Sequence, residues 1–241
     1  MAIDVLHKPI DAPMIPRRVK RAVVAGATTV VVLIAAVGFL HTPVGRPVLA
    51  KLGIACPITK ATPQQIDHAR SIPAAAYRGK MMAPARPALG FTFERTTLAE
   101  VESWAKTNGI ECSAINGNET LRSCKNVPAA ALGEPSDFEQ AEEVAFEFRA
   151  TRSLAVVTVL RRGLAFRRAS AMAAVISRRL HEALGAPQKT AGENTAAHFT
   201  KGPLQSFQEE YEFGDYGATL TETLLGGTGV LLREQYFSPV S

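Results

Sequence analysis

Residues 143–187 read EVAFEFRATRSLAVVTVLRRGLAFRRASAMAAVISRRLHEALGAP and contain both patterns that decide the fold class. Apolar and charged residues alternate over 143–149, which predicts a half-buried strand. A second apolar run, Leu154–Arg161, predicts another strand after a short turn. Apolar residues then recur at helical spacing, so we expect a long helix over Leu164–Leu184 that ends at Gly185. The segment therefore predicts two strands followed by an amphipathic helix.

One face of this helix is apolar and the other is basic. The predicted buried stripe consists of Ala169, Met172, Ala173, Ile176, Leu180, Ala183 and Leu184. At about 100° per residue, Arg167 projects beside Arg178, and Arg168 beside Arg179. We expect these four arginines to form a basic strip that contacts an acidic protein surface, anionic lipid headgroups or an anionic envelope polymer. The alternative is an ordinary solvated face, partly neutralised by Glu182.

A helix and a hairpin are predicted before the first of these strands. Thr97 and Glu100 have the spacing of a capping box, which predicts a helix over residues 97–107. A hairpin is expected over residues 110–127, with its loop around Gly117-Asn118-Glu119. The two elements together predict a unit made of one helix and the strands that follow it.

The expected hairpin places two cysteines opposite each other. With the loop centred on Asn118, Cys112 faces Cys124, and Cβ atoms about 4.5–5.5 Å apart permit a disulfide after small adjustments. A bridge is the natural expectation on the oxidising side of a membrane, and two buried thiols are the alternative. Cys56 is left over, and it is either free or available for a disulfide between two chains.

The C-terminal part of the chain returns to strand patterns. A strand is predicted over 207–213, and two more, near 216–225 and 230–237, meet through the glycine-rich turn 226–229. The order helix, strands, long helix, strands predicts an α+β fold, in which two main helices cover one face of a two-layer antiparallel sheet. We interpret the two halves as a degenerate repeat of one helix-plus-hairpins unit.

Residues 22–40, AVVAGATTVVVLIAAVGFL, carry no charge and predict a transmembrane helix. At about 1.5 Å per residue this segment extends about 28 Å, close to the thickness of a bilayer core. Basic residues are concentrated just before it, so the positive-inside rule assigns residues 1–21 to the cytoplasm. We expect a single-pass protein of the inner (plasma) membrane. The alternative is a cleaved signal peptide, which would release the domain.

The segment after the predicted membrane helix differs in composition from the rest of the chain. Residues 41–90 contain seven prolines and predict a stalk.

Residues 1–90 carry 12 Lys+Arg against 3 Asp+Glu, whereas residues 91–241 carry 15 against 19. The remaining α+β domain, 91–241, is predicted to be periplasmic or extracellular, and it lacks the basic footprint of nucleic-acid binding. Whether the protein forms oligomers through the membrane helix or through Cys56 is left open by the sequence.

Motifs for catalysis are incomplete. Ser103 and Lys106 match the Ser-x-x-Lys of penicillin-recognising enzymes, but the companion Lys-Thr-Gly and Ser-Asp-Asn sequences are absent. Carboxylates within 209–215 are expected on a solvated sheet face. The five histidines lack metal-ligand spacing, and no phosphate-binding or dinucleotide-binding loop occurs. We therefore predict no catalytic residue, no metal and no cofactor.

These patterns favour a non-enzymatic binding or structural module of the cell envelope. An anchor and a stalk would hold the α+β domain near the membrane, where it binds an envelope protein or an anionic polymer. The alternative hypothesis is a membrane-tethered hydrolase of cell-wall or peptide substrates. Its site would lie at Ser103 and Lys106 or among the carboxylates of residues 209–215.

Overall fold

The computed structural model describes residues 78–115, 117–202 and 204–240. The predicted cytoplasmic tail, the predicted transmembrane helix, Cys56 and residues 41–77 of the predicted stalk lie outside the described residues. Among the described helices, none is both long enough and apolar enough to cross a membrane.

The described chain alternates between helices and groups of strands. The helices are α1 (Leu98–Thr107), α2 (Phe166–Leu184) and α3 (Ala196–Phe199), with 3-10 turns at Ala129–Leu132 and Gly226–Thr228. The strands are β1 (Cys112–Ile115), β2 (Asn118–Val127), β3 (Ala141–Phe148), β4 (Leu154–Leu164), β5 (Lys189–Ala191), β6 (Ser206–Glu212), β7 (Gly217–Leu224) and β8 (Val230–Phe237). The α+β class predicted from the sequence is confirmed.

All eight strands form one antiparallel sheet in the order β1-β2-β3-β4-β8-β7-β6-β5. Each half of the described chain contributes a helix followed by four strands. The last strand of the first half, β4, pairs with the last strand of the second half, β8. The strand order is therefore symmetric about the centre of the sheet.

The two long helices lie against the same face of the sheet. Phe146, Val157 and Tyr236 are register partners on β3, β4 and β8, so their side chains share that face. Trp104 of α1 packs edge-on against Phe146, with ring centroids 5.7 Å apart. Arg179 of α2 donates a hydrogen bond to the hydroxyl of Tyr236. The core therefore lies between this face and the helices, whereas the opposite face is mostly polar and partly exposed.

The first helix forms as its capping pattern predicts. The Thr97 hydroxyl accepts a hydrogen bond from the Glu100 backbone N–H, and the Glu100 carboxylate accepts one from the Thr97 backbone N–H. Leu98, Val101 and Ala105 are buried, which satisfies the apolar face. The helix ends at Thr107, before Asn108.

The predicted hairpin and its disulfide are confirmed. Strands β1 and β2 pair with Cys112 directly opposite Cys124, and the two residues are bonded with Cα atoms 4.0 Å apart. Cys124 is fully buried, so the bridge joins the edge of the sheet to the core. The pairing shifts register between Ala114 and Ile115, close to the loop.

The boundary between β4 and α2 differs from the prediction. We expected the helix to begin at Leu164, but Leu164 ends β4, where it pairs with Val230. The strand is irregular between Arg161 and Leu164, and Gly163 takes a φ of 69°. This irregularity lets the strand continue beyond the apolar run, so helical geometry begins only at Phe166.

Residues 78–90, the end of the predicted stalk, are hydrogen-bonded to the folded domain. The Gly79 N–H donates to the Phe213 carbonyl at 3.2 Å, and the Ala83 N–H donates to Asp215 at 2.9 Å. The Tyr216 hydroxyl donates to the Pro87 carbonyl at 2.7 Å. These hydrogen bonds hold residues 79–87 against the domain and so position the residues that follow Pro87.

Candidate functional site

A fully buried arginine lies at the centre of the covered sheet face. Arg161 of β4 is 1% exposed. Its Nη1 donates to Glu234 Oε1 of β8 at 2.7 Å, and its Nη2 is paired with the Glu134 carboxylate. Its Nε donates to the Glu139 carbonyl at 3.1 Å, and the guanidinium lies over the Phe138 ring. Burying a cation is tolerated only with such a full set of partners.

A second arginine shares the same carboxylate. Glu234 Oε2 accepts hydrogen bonds from Arg179 Nη2 at 2.9 Å and from the Tyr236 hydroxyl at 2.6 Å. Arg179 Nη2 also lies 3.0 Å from the Tyr236 hydroxyl. The Arg179 side chain remains 34% exposed. Glu234 and Tyr236 thus hold Nη2 of this guanidinium, while the side chain remains partly accessible to solvent.

The charge balance of this network depends on the protonation of Glu134. Burial, and next the nearby Glu234 carboxylate, raise the pKa of Glu134 to about 8, although Arg161 and Arg179 oppose this. Within the described residues, Glu134 Oε1 is buried without a hydrogen-bond partner. The raised pKa favours the neutral form of Glu134. In that form the two guanidinium groups share the single charge of Glu234, with an excess of one positive charge.

An open cleft lies beside this network. It has a volume of about 380 Å³, within the range of roughly 300–1,000 Å³ that is typical of ligand sites. Three parts of the chain form its walls: the segment before α1 together with α1, the 3-10 turn after β2, and the facing residues of α2 and β8. The lining residues are Pro87, Leu89, Gly90, Phe91, Trp104, Ala131, Leu132, Gly133, Arg179 and Tyr236. The walls are mainly apolar and aromatic, and Arg179 is the charged residue among those that line the cleft.

The aromatic wall is held in place by packing and by one hydrogen bond. The Trp104 Nε1–H donates to the Ala131 carbonyl at 3.2 Å. Phe91 packs edge-on against both Trp104, at 5.2 Å between ring centroids, and Phe146, at 5.0 Å. Gly133 takes a φ of 67°, the left-handed conformation that ends the preceding 3-10 turn. The cleft is thus formed largely before any ligand arrives.

The chain matches no protein-family model, no curated protein and no solved structure. An apolar wall with one charged donor can bind a ligand that has an apolar body and an anionic group.

The four arginines of the predicted strip do not share one exposed surface. Arg167 and Arg178 are exposed, as expected. Arg168 is exposed but pairs with Glu139 at 3.4 Å and donates to the Asp137 carbonyl. Arg179 reaches the sheet, because its long side chain extends from the edge of α2 to Glu234. Ligand binding by Arg167 and Arg178 stays a prediction.

The residues proposed for a hydrolase do not line the cleft. Ser103 and Lys106 are both exposed on α1. The expectation that the carboxylates of residues 209–215 lie on a solvated face is wrong for Glu209, which is buried and accepts a hydrogen bond from Ser177 at 2.9 Å. It is also wrong for Asp215, which is buried and accepts from Ala83. These carboxylates therefore serve separate structural contacts.

In the part of the chain that the structure describes, no three His, Cys, Asp or Glu side chains lie close enough together to hold an ion. The prediction that the chain needs no metal or cofactor stays a prediction.

The buried charge network could not be predicted from local sequence patterns. One signal was present, because Arg161 continues the inward-facing series Val157 and Val159, and Glu234 lies between the inward-facing Leu232 and Tyr236. A charge at an inward strand position indicates a buried partner. The identity of that partner depends on the pairing of β4 with β8, which lie far apart in the chain.

Proposed function

We propose that this protein is a membrane-anchored, extracytoplasmic binding module of the cell envelope. The cleft carries this proposal, because its aromatic wall and its tethered guanidinium form a site that is ready to receive a ligand. Arg179 contributes the charged contact, and Glu234 and Tyr236 hold it in position. We therefore propose the cleft, and not the strip of four arginines, as the main binding site.

The disulfide supports an extracytoplasmic location. Structural disulfides persist in oxidising compartments and are rare in the cytosol. The Cys112–Cys124 bridge therefore agrees with the topology expected from the basic residues before segment 22–40. In this topology residues 1–21 are cytoplasmic, and the domain is joined to the membrane through the stalk.

Binding is favoured over hydrolysis by the placement of the reactive groups. A serine hydrolase needs its hydroxyl within hydrogen-bond reach of a base, in a pocket that holds the substrate. Ser103 and Lys106 are exposed on α1 and do not line the cleft. The cleft instead offers a cation and aromatic rings, which are groups that bind and orient ligands.

The symmetric strand order supports a related proposal about how the domain is built. Two units of one helix and four strands meet through β4 and β8, as a degenerate helix-plus-hairpins repeat would. Arg161 of the first unit and Glu234 of the second join them across this pair. The cleft contacts both units, so a repeat of this kind would need both copies to form the site.

The location is tested in spheroplasts and isolated membranes from cells that express the full chain with a C-terminal tag. We expect the tag to pellet with membranes after carbonate washing and to be digested by protease added outside the inner membrane. A soluble product with a shortened N-terminus would contradict the anchor, and a tag protected from protease would contradict the topology.

The binding role is tested by photo-crosslinking in the same cells. Benzoylphenylalanine replaces Phe91 in the cleft, and in a matched control it replaces Phe237 of β8, whose register places it on the opposite sheet face. We expect a discrete crosslinked product from position 91 that is absent from position 237. Equal products from both positions, or none from position 91, would contradict a binding role for the cleft.

A further inference from the structure

We infer that the cleft binds a small carboxylic acid with an apolar body, the carboxylate on Arg179 and the apolar body against Trp104 and Phe91. This inference rests on the proposed binding function and specifies its ligand class. The ligand is a free small molecule, because the cleft volume of about 380 Å³ matches the size of one small molecule.

The charge of the site favours an anion over a cation or a neutral ligand. Arg179 uses Nη2 for both Glu234 and Tyr236, and within the described residues no hydrogen bond involves its Nε or Nη1. Arg161 lies behind it and shares the Glu234 carboxylate. A ligand anion would meet a guanidinium that is only partly neutralised and already oriented, which is the arrangement that favours a charge-assisted pair.

The rest of the site favours an apolar body. Phe91 and Trp104 present ring surfaces, and Leu89 and Leu132 complete the wall. A polyanion or a sugar would leave several polar groups without partners against these residues, and such groups are costly to bury. One carboxylate on a hydrocarbon or aromatic body satisfies both the cation and the wall.

The test uses the full chain in lipid vesicles and the fluorescence of Trp104, the single tryptophan of the sequence. The probes are 4-phenylbutyrate and octanoate, each compared with its uncharged amide. We expect saturable changes with the acids and at least about tenfold weaker binding of the amides. Equal affinity for acid and amide, or no saturable change with either acid, would overturn the inference.

Two substitutions separate the cleft from the helix surface. Arg179→Gln should weaken acid binding by about tenfold or more, whereas the exposed Arg178→Gln, one residue away and equal in charge, should leave it unchanged. If Arg179→Gln does not fold, Arg179→Lys serves instead and should weaken binding severalfold. Equal losses from both positions would show a diffuse charge effect and would overturn the assignment.

A comparison with a peptide distinguishes a small free acid from the C-terminal carboxylate of a protein chain. A short peptide ending in Phe is compared with its C-terminal amide in the same assay. Binding of the peptide acid without binding of the small acids would overturn the small-molecule inference. In that case crosslinking at position 91 would still support the binding function, so the failures of the two proposals can be told apart.

Discussion

Arg161 Nη1 and Glu234 Oε1 lie 2.7 Å apart, and each side chain is 1% exposed. The pair joins β4 to β8, the two strands at which the halves of the sheet meet. The same carboxylate holds Arg179 at the edge of the cleft. One buried ion pair therefore connects the interior of the fold to the candidate binding site.

Replacing Arg161 by methionine should destabilise the domain strongly. The substitution preserves much of the side-chain volume but removes the fully buried partner of the Glu234 carboxylate and the donor to Glu134. Breaking a buried pair from one side costs about 3–5 kcal/mol. Urea unfolding followed by circular dichroism should show a loss of this size in the free energy of unfolding, and a correspondingly lower midpoint.

Arg162→Met is the matched control for Arg161→Met. Arg162 pairs with Glu142 on the surface, where both side chains are more than 40% exposed. Exposed pairs contribute about 1 kcal/mol or less. A loss for Arg162→Met as large as that for Arg161→Met would contradict a special role for the buried network.

The elements that could be predicted from the sequence are those fixed by local patterns. A capping box begins α1, alternation defines β3, and the glycine-rich turn joins β7 to β8. The disulfide was predictable because the hairpin loop alone sets the register of Cys112 against Cys124. By contrast, β5 and α3 contain three and four residues, too few to show a period.

The candidate site could be predicted only in fragments. Arg179 was identified as part of a basic surface, because helical spacing gives its direction but not the reach of its side chain. Its partner Glu234 lies 55 residues further along the chain, and their contact depends on how α2 packs across β8. Phe91 and Trp104 meet Arg179 only after the whole sheet has formed.

Removing the disulfide should lower stability by a moderate amount. The Cys112–Cys124 bridge closes a loop with a sequence separation of 12 residues. The chain-entropy model gives about 3 kcal/mol for a loop of this size. The double variant Cys112→Ser/Cys124→Ser should unfold at correspondingly lower urea, and adding reductant to the native protein should have a similar effect. Unchanged stability in both experiments would contradict a structural role for the bridge.

Glu222 should make the domain less stable as the pH rises. Its side chain is fully buried, and within the described residues both carboxylate oxygens lack a hydrogen-bond partner. Burial raises the pKa of Glu222 from 4.5 to about 7. The folded state therefore binds more protons than the unfolded state between these values, so stability falls as the pH rises through this window, by about 3 kcal/mol in total.

Glu222→Met should remove this pH dependence. We expect the variant to be more stable than the natural chain at about pH 8, where the native carboxylate is ionised, with a smaller difference near pH 5. Glu210→Met is the control, because Glu210 lies on the partly exposed face beside Lys189. A gain for Glu222→Met that is the same at both pH values would contradict ionisation as its cause.

The affinity of the cleft for a carboxylic acid should fall as the pH rises through about 8, the pKa of Glu134. Below this value Glu134 is neutral, and Arg161 and Arg179 share only the charge of Glu234. Above it, Glu134 is ionised and cancels the excess positive charge that attracts the ligand. The remaining group of the network, Tyr236, stays protonated because burial, and next the Glu234 carboxylate, raise its pKa well above the usual value.

The pH effect is measured by titrating 4-phenylbutyrate against Trp104 fluorescence between about pH 6.5 and 9.5. The acid itself stays ionised throughout this range, so a change in affinity reports on the protein. A loss of one unit of nearby positive charge at an effective dielectric constant of about 20 should weaken binding roughly tenfold. Glu134→Gln fixes this side chain in a neutral form and should bind as tightly at high pH as at low pH. The same decline in Glu134→Gln as in the natural chain would exclude Glu134 as the titrating group.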